Sequence, residues 1–177
     1  MRHLDTCKTK ICDCTTLHLN DRPGSYPDSY YHATAVGLAE RASLSTDTTA
    51  DVCIIGGGFT GLSSALHLAC LGMDVLVVDA HRMGWGASGR NGGQAGSGQR
   101  VDQDTLEDML GKDLAREAWR IGIEAPRLVQ SLIAEHNIDA QWQAGIVEVN
   151  HKARFDAETE TYVKKLQDEY EYPYIEW

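Results

Sequence analysis

The strongest pattern of apolar and polar positions lies between residues 51 and 79. Val52-Cys53-Ile54-Ile55 is a short unbroken apolar run, as expected of a strand covered on both faces. Gly56-Gly57-Gly58 ends it. Leu62, Ala65, Leu66 and Ala69 then recur at helical spacing and predict a helix from about Phe59 to Leu71. Gly72 follows, where a helix C-terminus commonly places a glycine. Val75-Leu76-Val77-Val78 is a second apolar run and ends at Asp79. Strand, helix and strand in this order predict a βαβ unit with parallel strands and a right-handed crossover. Cys53 and Cys70 read as small buried apolar residues. His67 falls on the helix side away from the apolar stripe.

The flanks are less regular. Residues 1–28 are polar, lack periodicity and end in the turn-rich stretch Asn20 to Asp28, so they read as a disordered leader. Residues 29–50 read as an approach segment with a polar linker, Ser43 to Thr49. After Asp79, glycine recurs at 84, 86, 89, 92, 93, 96 and 98, too densely for the interior of a helix or strand. Residues 101–137 predict helices. Leu114, Ala118, Ile121, Ala125, Leu128, Val129, Leu132 and Ile133 form one apolar face, with a break or kink expected at Pro126. Residues 138–149 suggest a hairpin, with Gly145 near the turn and Ile146–Val149 as one strand. A last helix is expected from Phe155 to Tyr170, with Phe155, Tyr162, Leu166 and Tyr170 on one face.

The chemistry sits at the βαβ turn. Gly56-x-Gly58-x-x-Gly61 opens the helix directly after the first strand. Gly56 permits the tight turn, Gly58 lets a pyrophosphate approach the backbone, and Gly61 lets helix and strand pack closely. The free N–H groups near Phe59, Thr60 and Gly61 favour an anion. Asp79 ends the second strand, where a carboxylate accepts hydrogen bonds from ribose hydroxyls and repels a 2′-phosphate. The βαβ unit alone does not separate NAD from FAD. A longer dinucleotide needs contacts beyond the first loop, and the polar groups of Ser88, Arg90, Asn91 and Gln94 in the second glycine-rich stretch suit FAD. Trp85 and His81 read as packing residues, although either lies close enough in sequence to touch a cofactor.

Composition narrows the partners. The formal net charge is −10, with 42% hydrophobic and 24% charged residues, which fits a globular domain that binds neither nucleic acid nor an anionic membrane. The charge mildly favours a cationic substrate. No apolar run is long enough to span a membrane, and the first residues lack a secretory h-region. Five cysteines, three of them at Cys7, Cys12 and Cys14, do not read as a disulfide framework, so a reducing cytoplasm is expected. His3, Cys7, Cys12, Cys14 and His18 match no familiar zinc spacing, and no metal site is expected.

Three blocks carry a family resemblance: Ser29-Tyr30-Tyr31-x-Ala33-Thr34-Ala35, Asp51 through Ala69, and Gly86-Ala87-Ser88-Gly89-Arg90-Asn91-Gly92-Gly93-Gln94. Together they resemble gamma-glutamylputrescine oxidase-like enzymes of the glycine oxidase/D-amino-acid oxidase class. The resemblance runs from about Ser29 to Trp177; after residue 100 it holds only in pattern. It implies the α/β fold class: a Rossmann-like FAD-binding unit, residues 51–100, interleaved with an α+β substrate domain that begins at residues 138–177. It implies oxidation of a C–N bond in an amine or amino acid, with dioxygen as the second substrate and hydrogen peroxide as product. By the same match Gly56, Gly58, Phe59, Thr60 and Gly61 cradle pyrophosphate, and Asp79 with Ala80 holds the adenosine ribose. Arg82 lies near the adenine side. Ala87, Ser88, Arg90, Asn91 and Gly92 run toward the flavin ring, with Arg90 as the positive charge beside it.

Members of this class are longer than this chain, so the 177 residues read as an N-terminal part with an incomplete sheet and exposed edges. The catalytic residues, the particular amine and the oligomeric state have no signature here. Two other readings stay open at this point: an NAD-dependent dehydrogenase and a short non-catalytic nucleotide-binding protein.

Overall fold

The computed structural model describes residue 22, residues 24–36 and residues 39–177. The leader cysteines and histidines, His3 to His18, lie outside these. The chain divides into two compact units, Met1–Gly92 and Gly93–Trp177.

In the first unit a short helix α1 (Tyr30–Thr34) begins at Ser29, whose hydroxyl accepts the His32 N–H at 3.2 Å. Strand β1 (Val52–Ile55), helix α2 (Phe59–Cys70) and strand β2 (Val75–Val78) follow with the bounds that the apolar pattern predicts, to within a residue. The strands pair in parallel, Val52 opposite Val75 through Ile55 opposite Val78. The Gly56 N–H continues the ladder to the Val78 carbonyl at 2.7 Å. At the other end the Asp51 carboxylate accepts the Asp74 N–H at 2.9 Å and closes the entry of the two strands. Helix α2 stops by a Schellman motif. Gly72 turns to φ +86°, its N–H reaches the Ala69 carbonyl, and the Met73 N–H reaches the Leu68 carbonyl.

Covering on both faces is not what the strands show. Val52 and Ile54 are half-buried, whereas Cys53 is exposed and Ile55 is 88% exposed. Helix α2 packs on the Ile54 side, and Cys53 stays open. Cys70 is exposed as well, so neither cysteine is the core residue expected. The leader boundary also moves. Gly24, Ser25 and Tyr26, counted with the disordered stretch, are hydrogen-bonded to residues 82–85.

The second unit begins within the second glycine-rich stretch rather than after residue 100. Residues 93–100 belong with the helices because Gly98 donates to the Gly122 carbonyl at 3.3 Å and Gln99 to the Ala118 carbonyl at 2.8 Å. Helix α3 (Gln103–Leu110) starts at Asp102, whose carboxylate accepts the Thr105 N–H at 2.7 Å. That bond holds the Asp102 carboxyl below the ordinary range. Helix α4 (Lys112–Glu135) follows after Gly111, at φ +80°, and helix α5 (Asp156–Asp168) lies near the end of the unit.

The chain bends at Gly111, and Pro126 sits inside a continuous α4. A proline removes one N–H, the one that would have bonded the carbonyl four residues back. Here that carbonyl is Gly122 O, and the Gly98 N–H takes it instead. The approach is close: a Cβ on Gly122 would lie 2.6 Å from Gly98 O, and one on Gly98 would lie 2.9 Å from the Trp119 ring. The buried side of α4 is therefore Ala115, Trp119 and Gly122, spaced by four and three residues. The predicted apolar face is the open one, with Leu114 61% and Ile121 56% exposed. Apolar residues occur on two sides of α4, and the wide Trp119 ring decides which side meets Leu166 and Tyr170. The α5 face is as expected at Tyr162, Leu166 and Tyr170, with Val163 added to the core.

The expected hairpin at 138–149 is absent; the segment has no regular structure and is exposed. A strand needs a partner for its backbone groups, and no described residue pairs with Ile146–Val149.

One polar cluster ties α3 to the end of α5. Lys165 contacts Asp104 and lies 3.0 Å from the Glu107 carboxylate, which also accepts from the Tyr170 hydroxyl. Burial disfavours the Lys165 ammonium, but the hydrogen bonds to Asp104 and Glu107 outweigh it and hold its pKa above the ordinary value. The Tyr170 hydroxyl, then Lys165, draw the Glu107 carboxyl below its ordinary 4.5.

This packing can be tested by substitution. A Cβ on Gly61 would stand 1.9 Å from Gly56 O, so Gly61→Ala should destabilise by about 1–3 kcal/mol despite alanine's better helix propensity. Gly96→Ala, whose Cβ would meet only Ile146 Cδ1 at 3.5 Å, should melt within about 0.5 kcal/mol of wild type by thermal denaturation. For the polar cluster, a depressed carboxylate stabilises above its unfolded pKa and loses that contribution as pH falls through its lower folded value. The stability gap between wild type and Glu107→Gln should therefore be full above pH 4.5 and close below it, as read from urea midpoints across pH.

Candidate functional site

The site is built where two glycine-rich loops of the first unit meet. The first runs from Gly56 to Gly61. Gly56 holds φ +108°, a left-handed conformation that L side chains rarely adopt, and so carries the chain from β1 into the turn. Gly58 is the N-cap of α2 and offers no capping side chain. The first bond of this end of the helix is Leu62 N–H to Gly58 O at 2.9 Å, so the Thr60 and Gly61 amides precede the helical ladder.

The Phe59 amide has a partner from far along the chain. The Ser88 hydroxyl accepts it at 2.9 Å. A Cβ on Gly58 would lie 2.9 Å from the same Ser88 oxygen, so this contact requires glycine on the first loop. The two loops touch again at Gly57: its carbonyl accepts the Gly84 N–H at 2.8 Å, and a Cβ there would collide with Met83 Sδ at 2.1 Å.

Asp79 reaches into the same turn. One carboxylate oxygen accepts the Gly57 N–H at 2.7 Å, and the other accepts the His81 N–H at 2.7 Å. An ionised carboxylate offers about four lone-pair sites, so two remain for further donors. The turn thus combines amides suited to an anion with a fixed carboxylate suited to vicinal hydroxyls. That donor and acceptor set fits the pyrophosphate and ribose of a dinucleotide.

The remaining predicted residues are placed as follows. Phe59, Thr60 and Ala80 are exposed. Ala87 opens a 3-10 turn, Ala87–Gly89, and the Asn91 side-chain amide donates to the Ala87 and Ser88 carbonyls at 3.1 and 3.0 Å. Arg90 lies 4.8 Å from the centre of the Trp85 ring, which also stacks on His81 at 3.8 Å. Arg82 is engaged by Glu40 at 2.8 Å and by the Gly24 carbonyl. Gly92 is exposed at the end of the unit. Gly57 and Met83 were not expected in the site. The available signal was that Gly57 is a glycine at a position where the GxGxxG pattern allows any residue. Among the described residues no group of three or more His, Cys, Asp or Glu is placed to hold a metal.

Comparison with known proteins decides between the dinucleotides. Residues 51–177 match the FAD dependent oxidoreductase family, DAO. The chain belongs to this FAD-dependent oxidoreductase family. Its cofactor is FAD, and the NAD alternative falls away. The chain is 41% identical over 147 residues to the probable oxidoreductase OrdL of Rhizobium meliloti (strain 1021), a span of 83% of this chain and 34% of that protein. It is 43% identical over 120 residues to the gamma-glutamylputrescine oxidoreductase of Escherichia coli (strain K12), which covers 68% of this chain and 28% of that protein. The chain therefore spans about a third of the length of these relatives. A shorter stretch of 96 residues is 42% identical to the probable oxidoreductase OrdL of Haemophilus influenzae, or 54% of this chain and 22% of that protein. No solved structure matches. No helix among the described residues is long and apolar enough to cross a membrane.

The Ser88 contact makes its own prediction. Ser88→Ala leaves the Phe59 amide at the start of α2 without its acceptor and should cost about 0.5–2 kcal/mol, the usual loss of a capping oxygen. Ser88→Thr, which keeps the hydroxyl, should retain most of that stability in the same denaturation experiment.

Proposed function

We propose that this chain supplies the FAD-binding part of an oxidase acting on the C–N bond of an amine or amino acid, with gamma-glutamylputrescine-like amines as the substrate class. The observation that carries the reading is Asp79. In a member of an FAD-dependent family, its carboxylate is anchored on the first glycine loop with two lone-pair sites to spare. The 43% identity to a gamma-glutamylputrescine oxidoreductase supports the substrate class. The net charge of −10 goes in the same direction, since it favours a cationic amine.

In this reading the turn of Gly56, Gly58, Phe59, Thr60 and Gly61 cradles the pyrophosphate, with the amides of Thr60 and Gly61, which precede the helical ladder, facing its oxygens. Asp79 accepts from the ribose hydroxyls, with the Ala80 backbone beside it. Arg82 borders the adenine side. Ala87, Ser88, Arg90, Asn91 and Gly92 continue along the pyrophosphate toward the ring, and Arg90 supplies positive charge there. The bound cofactor supplies hydride acceptance from the carbon beside the amine and reoxidation by dioxygen, with hydrogen peroxide as product. The cofactor domain begins at residue 51 and ends within the second glycine-rich stretch, a helical segment follows to residue 137, and residues 138–177 are the beginning of a substrate domain. The odd cysteine count agrees with a reducing cytoplasm.

Asp79→Ala removes the acceptor for the ribose and should weaken FAD binding by about 1.5–3 kcal/mol, roughly ten- to a hundredfold in Kd. Titration of FAD fluorescence measures this. Equal flavin retention by the variant and the wild type would count against the assignment.

A further inference from the structure

We propose that Gly24, Ser25 and Tyr26 form a strap that sets the position of the second glycine-rich loop, making Tyr26 and Trp85 positioning residues for the flavin-ward half of the FAD site. The consequence for cofactor affinity rests on the reading given under Proposed function; the strap itself rests on geometry alone.

Three hydrogen bonds join segments that lie far apart in sequence. The Tyr26 hydroxyl donates to the Met83 carbonyl at 2.8 Å. The Trp85 indole N–H donates to the Ser25 carbonyl at 2.7 Å. The Arg82 Nε–H donates to the Gly24 carbonyl. One bond runs from strap to loop and two from loop to strap, and every acceptor is a main-chain oxygen. A segment that only covered apolar surface would not need such directional bonds. These fix the height and the register of residues 82–85 against the strap.

Residues 82–85 lie between the two elements that form the site. Met83 Sδ fills the space over Gly57, and the Gly84 N–H bonds to Gly57 O. Four residues on, Ser88 caps α2 through Phe59. Trp85 transmits the strap further, because its ring is stacked on His81 at 3.8 Å and lies 4.8 Å from the Arg90 guanidinium carbon. The strap is itself anchored. The Tyr26 ring stacks on His32 at 5.0 Å and faces the Arg82 guanidinium at 5.6 Å, and Arg82 is paired with Glu40 at 2.8 Å. The first loop has its own support in Asp79 and Gly61, so loosening the strap acts on the second loop more than on the first.

The test uses the whole protein that carries these residues as wild type, Tyr26→Phe and Trp85→Phe. Each variant keeps an aromatic ring and deletes one donor. Hydrogen exchange of peptides spanning residues 82–92 is measured without cofactor, and FAD and ADP are titrated separately. The strap predicts about fivefold faster exchange in residues 82–92 and an FAD Kd raised about fivefold, the effect of one lost hydrogen bond, with ADP affinity unchanged. Unaltered exchange in both variants overturns the proposal. So does a parallel loss of FAD and ADP affinity, which marks general destabilisation. A wild-type chain that takes up no FAD overturns the proposed function instead, and the exchange result then decides the strap.

Discussion

The carboxylate of Asp79, drawn onto the amide of Gly57 at the end of two parallel strands, is the constraint on which the first unit depends. Parallel pairing of β1 and β2 brings the end of one strand beside the turn that follows the other. The turn must then pass under the carboxylate, and it does so through Gly56 at φ +108°. Helix α2 starts immediately afterwards, held so close that Gly61 faces the Gly56 carbonyl without room for a Cβ. The charge of Asp79 and the positive end of α2 are thereby fixed a short distance apart. A ligand with both vicinal hydroxyls and a diphosphate satisfies the two together, which is why the same local geometry serves dinucleotides.

The second glycine-rich stretch has two different jobs, divided near residues 92 and 93. Its first part is laid over the first glycine turn by Gly84 and Ser88. Its last part is packed on α4, where the carbonyl left free by Pro126 receives the Gly98 amide. Gly89, where a Cβ would stand 2.1 Å from Gly84 O, and Gly98, where one would stand 2.9 Å from the Trp119 ring, leave no room for a side chain. Gly84 and Gly93 meet nothing, and serve by turning the chain at φ +71° and +70°.

The βαβ unit was legible to within a residue because apolar runs, helical spacing and a terminal glycine all agree there. Asp79 was legible because its place at the end of the second strand follows from that unit. The buried faces were not. Periodicity finds a helix but does not say which of two apolar sides meets a partner, and α4 turns Trp119 inward and leaves Leu114 and Ile121 outside. Pro126 pointed to a break because its lost hydrogen bond is visible in sequence, whereas the substitute donor, Gly98, is a tertiary contact. The burial expected at Cys53 and the strand expected at Ile146–Val149 both depend on tertiary partners, which local pattern does not report. Tyr26 and Trp85 gave no sign of their bonds, since nothing in local pattern links positions 25 and 85.

The central claim is that the adenosine diphosphate half of FAD sits in the crevice between the first glycine loop and Asp79. The most direct measurement is a crystal structure of the protein with its flavin bound. The account predicts ribose hydroxyls within hydrogen-bonding distance of the Asp79 carboxylate and phosphate oxygens at the amides of Thr60 and Gly61. A flavin seated elsewhere, with Asp79 still bonded only to Gly57 and His81, would contradict it.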